Sequence, residues 1–251
     1  MIQAADILKK MAPGQRVNYD QVLLKMIAAW QRERVRPCLL LHSCCAPCST
    51  YMLEFLSAFA DITVYYTNSN IHPRAEYERR KHVQEQFINH FNKTTGSKVQ
   101  FLSAPYRPLD YFKRTKGLEG EPEKGKRCSV CFDMRLGLTA EKAKELGLDY
   151  FGSALTISPH KDSQVINAIG LQIQKTTNVP YLPSDFKKRG GYARSVEMCG
   201  TYAIYRQCYC GCVFAAMQQG IDVAEVAREA KAALAAEEVA PIRWTVREAE
   251  R

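Results

Sequence analysis

The order of apolar segments predicts an α/β protein with a mostly parallel sheet and flanking helices. Three apolar segments have the length and composition of strands: a continuous run at 38–42, a second at 62–66 and an alternating one at 98–102. Helical patterns separate them, including an amphipathic one over 74–91. Strands that alternate with helices through short links are typical of parallel α/β units. A cysteine-rich, helical C-terminal part completes the predicted architecture.

Residues 1–36 are predicted to form a helical N-terminal extension. Asn18 can cap a helix, with Gln21 three positions later, and the helix ends before Pro37. An apolar stripe then recurs at helical spacing, in Val22, Leu23, Met26, Ile27 and Trp30. Residues 37–220 form the α/β domain, and residues 221–251 form a C-terminal helix that Asp222 caps, followed by a charged tail.

The second half of the α/β domain is less regular. Residues 105–127 contain three prolines and three glycines, which predicts a long loop. A helix follows over 129–146 and a fourth strand over 150–157. Asp162 can cap the next helix, whereas residues 180–212 are predicted to be rich in loops.

Composition and charge narrow the class of protein. The chain carries 35 Lys and Arg against 26 Asp and Glu, a net charge of +9, which permits a nucleic-acid partner without establishing one. No apolar stretch reaches the roughly 18–20 residues that a spanning helix needs, and the N-terminus lacks a signal-peptide pattern. We therefore expect a cytoplasmic protein with no membrane partner.

Three loops that follow predicted strands are expected to share one edge of the sheet. The first contains Cys44, the second contains Asn68, and the third contains Ser158, His160 and Lys161. In an open α/β sheet, ligands bind at the carboxyl ends of the strands. The sequence therefore predicts one composite site at this edge.

Cysteines are the main candidate ligands for a metal ion or an iron–sulfur cluster. Eight of the ten fall into three groups, namely Cys44, Cys45 and Cys48; Cys128 and Cys131; and Cys208, Cys210 and Cys212. In a reducing compartment, clustered thiols bind metal or carry out redox chemistry more often than they form structural disulfides. A structural zinc ion takes four ligands and would leave half of these thiols unexplained, so an iron–sulfur cluster beside a second thiol group accounts for more of them. The two remaining cysteines are expected to be buried packing residues.

Other cofactor motifs are missing from the sequence. The segment 120–127 approaches a P-loop, but it ends in Arg127 where Ser or Thr is needed, and no strand precedes it. No Gly-x-Gly-x-x-Gly motif occurs, so a Rossmann site for NAD or flavin has no support. His42 directly precedes the first cysteine group and His160 lies in a turn of the predicted site, so both are candidate site residues. For His72, His82 and His90 we favour solvated or packing roles.

A basic and aromatic stretch in the C-terminal part is a candidate RNA-binding surface. Its members are Phe186, Lys187, Lys188, Arg189, Tyr192, Arg194, Tyr202, Tyr205, Arg206 and Tyr209. Lysine and arginine can contact phosphates, and an extruded base can stack on an aromatic ring. The alternative is a solvated surface with core tyrosines.

Five motifs resemble the epoxyqueuosine reductases of the QueH family. They are LLHSCCAPCS at 40–49, YYTNSNIHP at 65–73, RCSVCFDMRL at 127–136, TISPHKD at 156–162 and YRQCYCGC at 205–212. The resemblance runs in order from about residue 38 to residue 215 and excludes the N-terminal extension and the C-terminal helix.

The resemblance implies a Rossmann-like fold of the nucleotide α-hydrolase type and a two-electron reduction of epoxyqueuosine in tRNA, which releases water. It implies a [4Fe–4S] cluster on Cys44, Cys45, Cys128 and Cys131, without cobalamin, and a redox-active disulfide between Cys210 and Cys212. Cys48 could add a ligand or bind an adjacent mononuclear iron. The electron donor is not identified by the sequence. Candidate contacts to tRNA are Asn68, His72, Ser158, His160, Lys161, Asp162, Phe186, Lys187, Lys188, Tyr192, Arg194, Tyr205 and Arg206.

Two alternative functions remain open at the level of sequence. One is a thiol–disulfide oxidoreductase without metal. The other is a zinc-stabilised RNA-binding module without catalysis. Iron, sulfide and zinc analysis of anaerobically purified protein distinguishes these two functions from each other and from the reductase that the resemblance implies.

Overall fold

A parallel sheet of five strands forms the centre of the protein in a computed structural model that describes residues 2–9 and 16–239. The strands are β1 Cys38–His42, β2 Asp61–Tyr66, β3 Gln100–Ser103, β4 Tyr150–Ser153 and β5 Tyr181–Leu182. Their order is β3-β2-β1-β4-β5, and every neighbouring pair is parallel. The predicted α/β architecture is confirmed.

Helices flank this sheet and extend the chain at both ends. The N-terminal half contains α1 Ala4–Leu8, α2 Tyr19–Glu33, α3 Ala46–Leu56, α4 Arg74–Thr95 and α5 Pro108–Thr115. The C-terminal half contains α6 Lys126–Glu145, a 3-10 helix at Ala154–Ile157, α7 Ser163–Thr177, α8 Gly191–Thr201, α9 Val213–Gln218 and α10 Val223–Val239. No helix in the described part of the chain combines the length and apolarity that crossing a membrane requires.

The caps and the apolar stripe predicted for the terminal helices are present. The Asn18 side chain accepts a hydrogen bond from the Gln21 backbone N–H at 3.2 Å at the start of α2. Trp30 on the buried stripe donates from Nε1 to the Tyr150 hydroxyl at 3.3 Å, which joins α2 to the sheet. Asp222 accepts from the Ala224 N–H at 2.8 Å before α10, which packs on α4. The charged tail predicted beyond residue 239 lies outside the described residues.

Three segments differ from the sequence prediction. Residues 105–127 contain α5, because Pro108 occupies the first turn, where a proline costs the helix no hydrogen bond. The region 180–212 contains β5 and α8 rather than loops alone. The fourth strand ends at Ser153, whose hydroxyl accepts from the Leu155 N–H at 3.1 Å and starts the 3-10 turn.

The strand order places a crevice beside β1. From β1 the chain passes to β2 on one side and later returns to β4 on the other side. Helices that follow these strands therefore diverge to opposite faces of the sheet, and a gap opens at the carboxyl ends of β1 and β4. The loop after β1 carries the first cysteine group, so the fold places these thiols at the gap.

Candidate metal and redox site

The first cysteine group forms a compact set of three sulfur atoms at the start of α3. Cys44 Sγ lies 3.7 Å from Cys45 Sγ and 3.6 Å from Cys48 Sγ, and the Cys45–Cys48 sulfur distance is 3.1 Å. Cys45 occupies the position that caps the helix. Among the described residues, these three form the one set of at least three His, Cys, Asp or Glu whose ligand atoms all lie within 4.8 Å of one another.

Hydrogen bonds and burial give the three thiols unequal acidities. Hydrogen bonds from Cys45 and Cys48 hold the pKa of Cys44 well below its usual range. Burial raises the pKa of Cys45 to about 12. The Gln207 side chain donates from Nε2 to Cys45 Sγ at 2.9 Å and links this loop to the third cysteine group. A set with one favoured thiolate and two neighbouring thiols is suited to take up a thiophilic metal.

Buried polar side chains hold the cysteine loop in place. His42 Nε2 donates to Asn68 Oδ1 at 3.0 Å, and its Nδ1 accepts from the Ser153 hydroxyl at 3.1 Å. Burial lowers the pKa of His42 to about 3, so the ring is neutral. Asn68 in turn donates to the Ser43 carbonyl at 2.8 Å, and the Ser43 hydroxyl donates to Gln84 Oε1 at 2.9 Å. Asn68 is 1% exposed and therefore supports the loop from inside the protein.

The second group lies in the first two turns of α6. Cys128 Sγ accepts a hydrogen bond from the Lys124 N–H at 3.2 Å, and burial raises the pKa of Cys131 to about 12. Both thiols line a cavity of about 570 Å³ that Cys210 and Cys212 also line.

The third group is held by the turn that follows β2. Gly211 has φ +105°, and a Cβ atom at this position would lie 2.7 Å from Ile71 Cγ1. The Gly211 carbonyl accepts from the His72 N–H at 2.8 Å. Both the backbone conformation and the close approach therefore require glycine between Cys210 and Cys212.

A buried ion pair on α4 fixes the same loop from the other side. Arg80 Nε lies 2.6 Å from Glu76 Oε1, and both side chains are almost fully buried. The Arg80 guanidinium also donates to the carbonyls of Cys210 and Tyr209, each at 3.2 Å. Sequence analysis missed Arg80, because a Glu–Arg pair at i, i+4 on a charged helix is usually exposed.

We expect Arg80→Met to destabilise the protein by about 3–5 kcal/mol, because it leaves the Glu76 carboxylate buried without its partner. Chemical denaturation should show the loss as a lower midpoint. Arg74→Met is the matched control: it makes the same change on the same helix, where the Arg74 side chain is 77% exposed and its pair with Glu78 is 3.6 Å long. Equal midpoints for the two variants would contradict this role of Arg80.

Two contiguous cavities unite the three cysteine groups. The second cavity, of about 990 Å³, is lined by Cys44, Cys48, Cys208 and Cys210. Both cavities share Cys210, Lys161, His160 and Glu123. The structure thus brings the loops after β1 and β4 together with both later cysteine groups. The turn after β2 reaches the first cavity through Asn70.

Two cations face the thiols. Burial lowers the pKa of Lys161, but the nearby thiols of Cys210 and Cys44 raise it, and the net shift is upward. The pKa of Arg135 is raised in the same way, against burial, by Cys131 and Cys44. Both side chains are therefore protonated, and their charge offsets the negative charge that a set of thiolate ligands brings.

Among the described residues that line the two cavities, three have a buried polar side-chain atom with no hydrogen-bond partner. Asn70 Oδ1 and Arg127 Nε belong to residues that line the first cavity, and Gln207 Oε1 belongs to one that lines the second. Buried polar atoms are rarely left unpaired in native proteins. This pattern, together with the thiol-rich donor set and the flanking cations, fits a bound metal cofactor and a polar substrate.

The basic and aromatic stretch is only partly at the site. Phe186 is 2% exposed and packs in the core, which does not suit the expected contact with a base. Arg194 Nη2 lies 2.6 Å from Glu54, and Arg189 pairs with Asp20 at 3.0 Å. Lys187 donates to the Thr156 carbonyl at 2.8 Å.

Two other residues of the same stretch, Tyr192 and Arg206, line the second cavity. Lys188 is exposed at the turn before α8, and the Tyr205 hydroxyl donates to Glu76.

The remaining candidates lie on the turns after β2 and β4. Ser158 lines the second cavity, and His160 lines both. Asp162 lines the first cavity and caps α7, where it accepts from the Gln164 N–H at 2.8 Å. His72 is 9% exposed, and its Nδ1 donates to the Asn70 carbonyl at 2.9 Å. One ring nitrogen of His72 thus bonds within its own turn, and its contact with tRNA stays a prediction.

Comparison with known proteins agrees with this geometry. A family model described as epoxyqueuosine reductase QueH matches residues 39–218. Relatives named epoxyqueuosine reductase QueH include one from Streptococcus pyogenes serotype M1, 60% identical over 94% of this chain and 92% of its own. The Staphylococcus aureus relative is 58% identical over 93% and 98%, and the Thermotoga maritima relative is 31% identical over 76% and 96%. This chain belongs to the QueH family of epoxyqueuosine reductases.

Proposed function

We propose that this protein is an epoxyqueuosine reductase that acts on tRNA in the cytoplasm. It removes the epoxide oxygen of epoxyqueuosine at the wobble position, and the products are queuosine and water. The observation that carries the proposal is the convergence of three cysteine groups on two contiguous cavities at the carboxyl edge of the sheet. The reaction consumes two electrons and two protons, and thiol-based redox groups at a polar cavity suit that requirement.

Four of the thiols are proposed as ligands of a [4Fe–4S] cluster. Cys44 and Cys45 come from the loop after β1, and Cys128 and Cys131 come from the first two turns of α6. The donor set fits, because iron–sulfur clusters are held by thiolates and protonated Lys161 and Arg135 lie beside these thiols. Cys48 is close enough to Cys44 and Cys45 to serve as an additional ligand or to bind an adjacent iron. When bound, the cluster supplies one-electron transfer.

Cys210 and Cys212 are proposed as the redox-active pair. Two thiols that become a disulfide release two electrons and two protons, which is what the removal of the epoxide oxygen as water requires. Cys210 lines both cavities, so it faces the site of the cluster and the larger cavity together. An external electron donor then restores the dithiol.

The larger cavity is proposed to receive the modified nucleoside. Its lining includes the ring of Tyr192 and the hydroxyl of Ser158. The Tyr192 side chain is 38% exposed, so a base can stack on it without rearrangement of the core. Arg206 and the exposed Lys188 would contact the flanking phosphates.

We expect Lys188→Gln and Arg206→Gln each to weaken tRNA binding severalfold and to reduce the salt slope of log K by about 1, because each removes one phosphate contact. Filter binding over a series of salt concentrations measures both quantities. Lys144→Gln is the matched control. It lies near the far end of α6, 16 residues beyond Cys128 and thus roughly 24 Å away along the helix. A salt slope that none of the three variants changes would remove these two residues from the proposed interface.

The direct test of the function is turnover of tRNA that carries epoxyqueuosine. Anaerobically purified protein with a low-potential reductant should convert it to queuosine, measured by mass spectrometry of digested nucleosides. Iron and sulfide should be present in comparable amounts. Full activity of a metal-free protein would select the thiol–disulfide oxidoreductase instead. Stoichiometric zinc with tRNA binding and no turnover would select the RNA-binding module.

A further inference from the structure

The two thiols of the Cys210–Cys212 pair have different surroundings. Cys210 is half-buried and lies where the two cavities meet. Cys212 is 6% exposed, belongs to a buried cluster with Tyr111, Cys131, Met134 and Ala215, and lines the first cavity. Cys210 therefore lies between the two cavities, and Cys212 lies at the buried side of the first one.

Tyr111 on α5 contacts Cys212 directly. Its hydroxyl lies 3.0 Å from Cys212 Sγ, and the side chain is 1% exposed. A buried tyrosine hydroxyl needs a hydrogen-bond partner, and oxygen is usually that partner. In the described part of the chain, the hydroxyl of Tyr111 has this sulfur as its partner. A thiol can both donate and accept a hydrogen bond, whereas a disulfide sulfur has no proton to donate and is a weak acceptor.

We propose that Tyr111 is a positioning residue for the Cys210–Cys212 pair, and that its hydroxyl stabilises the reduced pair relative to the disulfide through its hydrogen bond with the Cys212 thiol. This inference rests on the redox role of the pair in the proposed function. The other thiol of the pair has a different partner: Cys210 sulfur accepts a hydrogen bond from the Cys212 backbone N–H. Tyr111 thus acts on the buried member of the pair.

The two S–H bonds break and one S–S bond forms, so the pair loses two electrons and two protons. Both electrons and both protons pass to the epoxide, whose oxygen leaves as water while the two ring carbons form a double bond. Oxidation replaces the Cys212 thiol, which hydrogen-bonds to the Tyr111 hydroxyl, by a disulfide sulfur that has no proton to donate and accepts only weakly. That loss favours the dithiol, which a reducing dithiol donor then regenerates with two electrons.

Tyr111→Phe tests this role, because it removes only the hydroxyl. We would equilibrate the purified, cluster-containing protein anaerobically in glutathione buffers and quantify alkylated Cys210 and Cys212 by mass spectrometry. The equilibrium should shift about tenfold towards the disulfide, which corresponds to a potential about 30 mV more negative. Tyr77→Phe is the matched control: Tyr77 is 2% exposed and donates to the Ala104 carbonyl at 3.1 Å, away from any thiol. It should leave the equilibrium unchanged.

Two further outcomes keep the test decisive. If Tyr111→Phe does not fold, as judged by circular dichroism and iron content, Tyr111→Met removes the hydroxyl with a flexible apolar side chain and should show the same shift. An unchanged equilibrium, or an equal shift in Tyr77→Phe, would overturn the inference alone. A pair that stays reduced in every buffer would overturn the redox role in the proposed function as well.

Discussion

Cys128→Ser is expected to remove most of the bound iron and all measurable turnover. A serine hydroxyl is a poor ligand for a soft iron–sulfur centre, and Cys128 opens α6 at the cavity wall, where Cys131 stands one turn later. Losing one of four ligands leaves the other thiolates unable to hold the cluster against hydrolysis and oxidation. Iron and acid-labile sulfide per chain, measured after anaerobic reconstitution, should both fall together with queuosine formation.

The control for this prediction is a cysteine outside the three groups. Cys38 on β1 is half-buried, and its backbone N–H donates to Asp149 at 2.7 Å, a bond that Cys38→Ser preserves. That variant should retain its iron. Wild-type iron content in the serine variants at Cys44, Cys45, Cys128 and Cys131 alike would refute the ligand assignment.

Cys210→Ser and Cys212→Ser are expected to keep the iron and the affinity for tRNA but to lose turnover. Each variant retains the loop geometry, because Gly211, the Arg80 contacts to the loop carbonyls and the His72 bond are untouched. What each loses is half of a two-electron donor. A single remaining thiol cannot deliver both electrons, so product formation should fall by orders of magnitude while the absorption of the cluster persists.

Thiol counting provides a second measurement on the unmodified chain. Reduced protein mixed with substrate, without an electron donor and under argon, should lose two thiols for each queuosine formed. Mass spectrometry should place both losses on the peptide that contains Cys210 and Cys212. If either serine variant instead loses iron, the pair belongs to the ligand set and not to a redox-active disulfide.

Sequence reasoning correctly predicted the α/β class, the caps at Asn18, Asp162 and Asp222, and the loops that carry the site. These features depend on local periodicity, on residues within one turn of each other and on the rule that ligands bind at the carboxyl ends of strands. The motif residues also identified the family. All of this information lies in short stretches of chain, which is why one sequence was enough.

Packing between distant segments, which no sequence pattern reveals, sets which polar residues support the site and which cations stay available for a partner. Arg80 meets the carbonyl of Cys210 across 130 positions and Tyr111 meets Cys212 across 101, contacts that no local pattern encodes. Arg194 looks from sequence like a phosphate contact, yet Glu54, 140 positions earlier, already binds it. Burial and pairing between distant segments arise when helices pack on a sheet, because desolvation forces each polar group to find whatever partner the packing brings near.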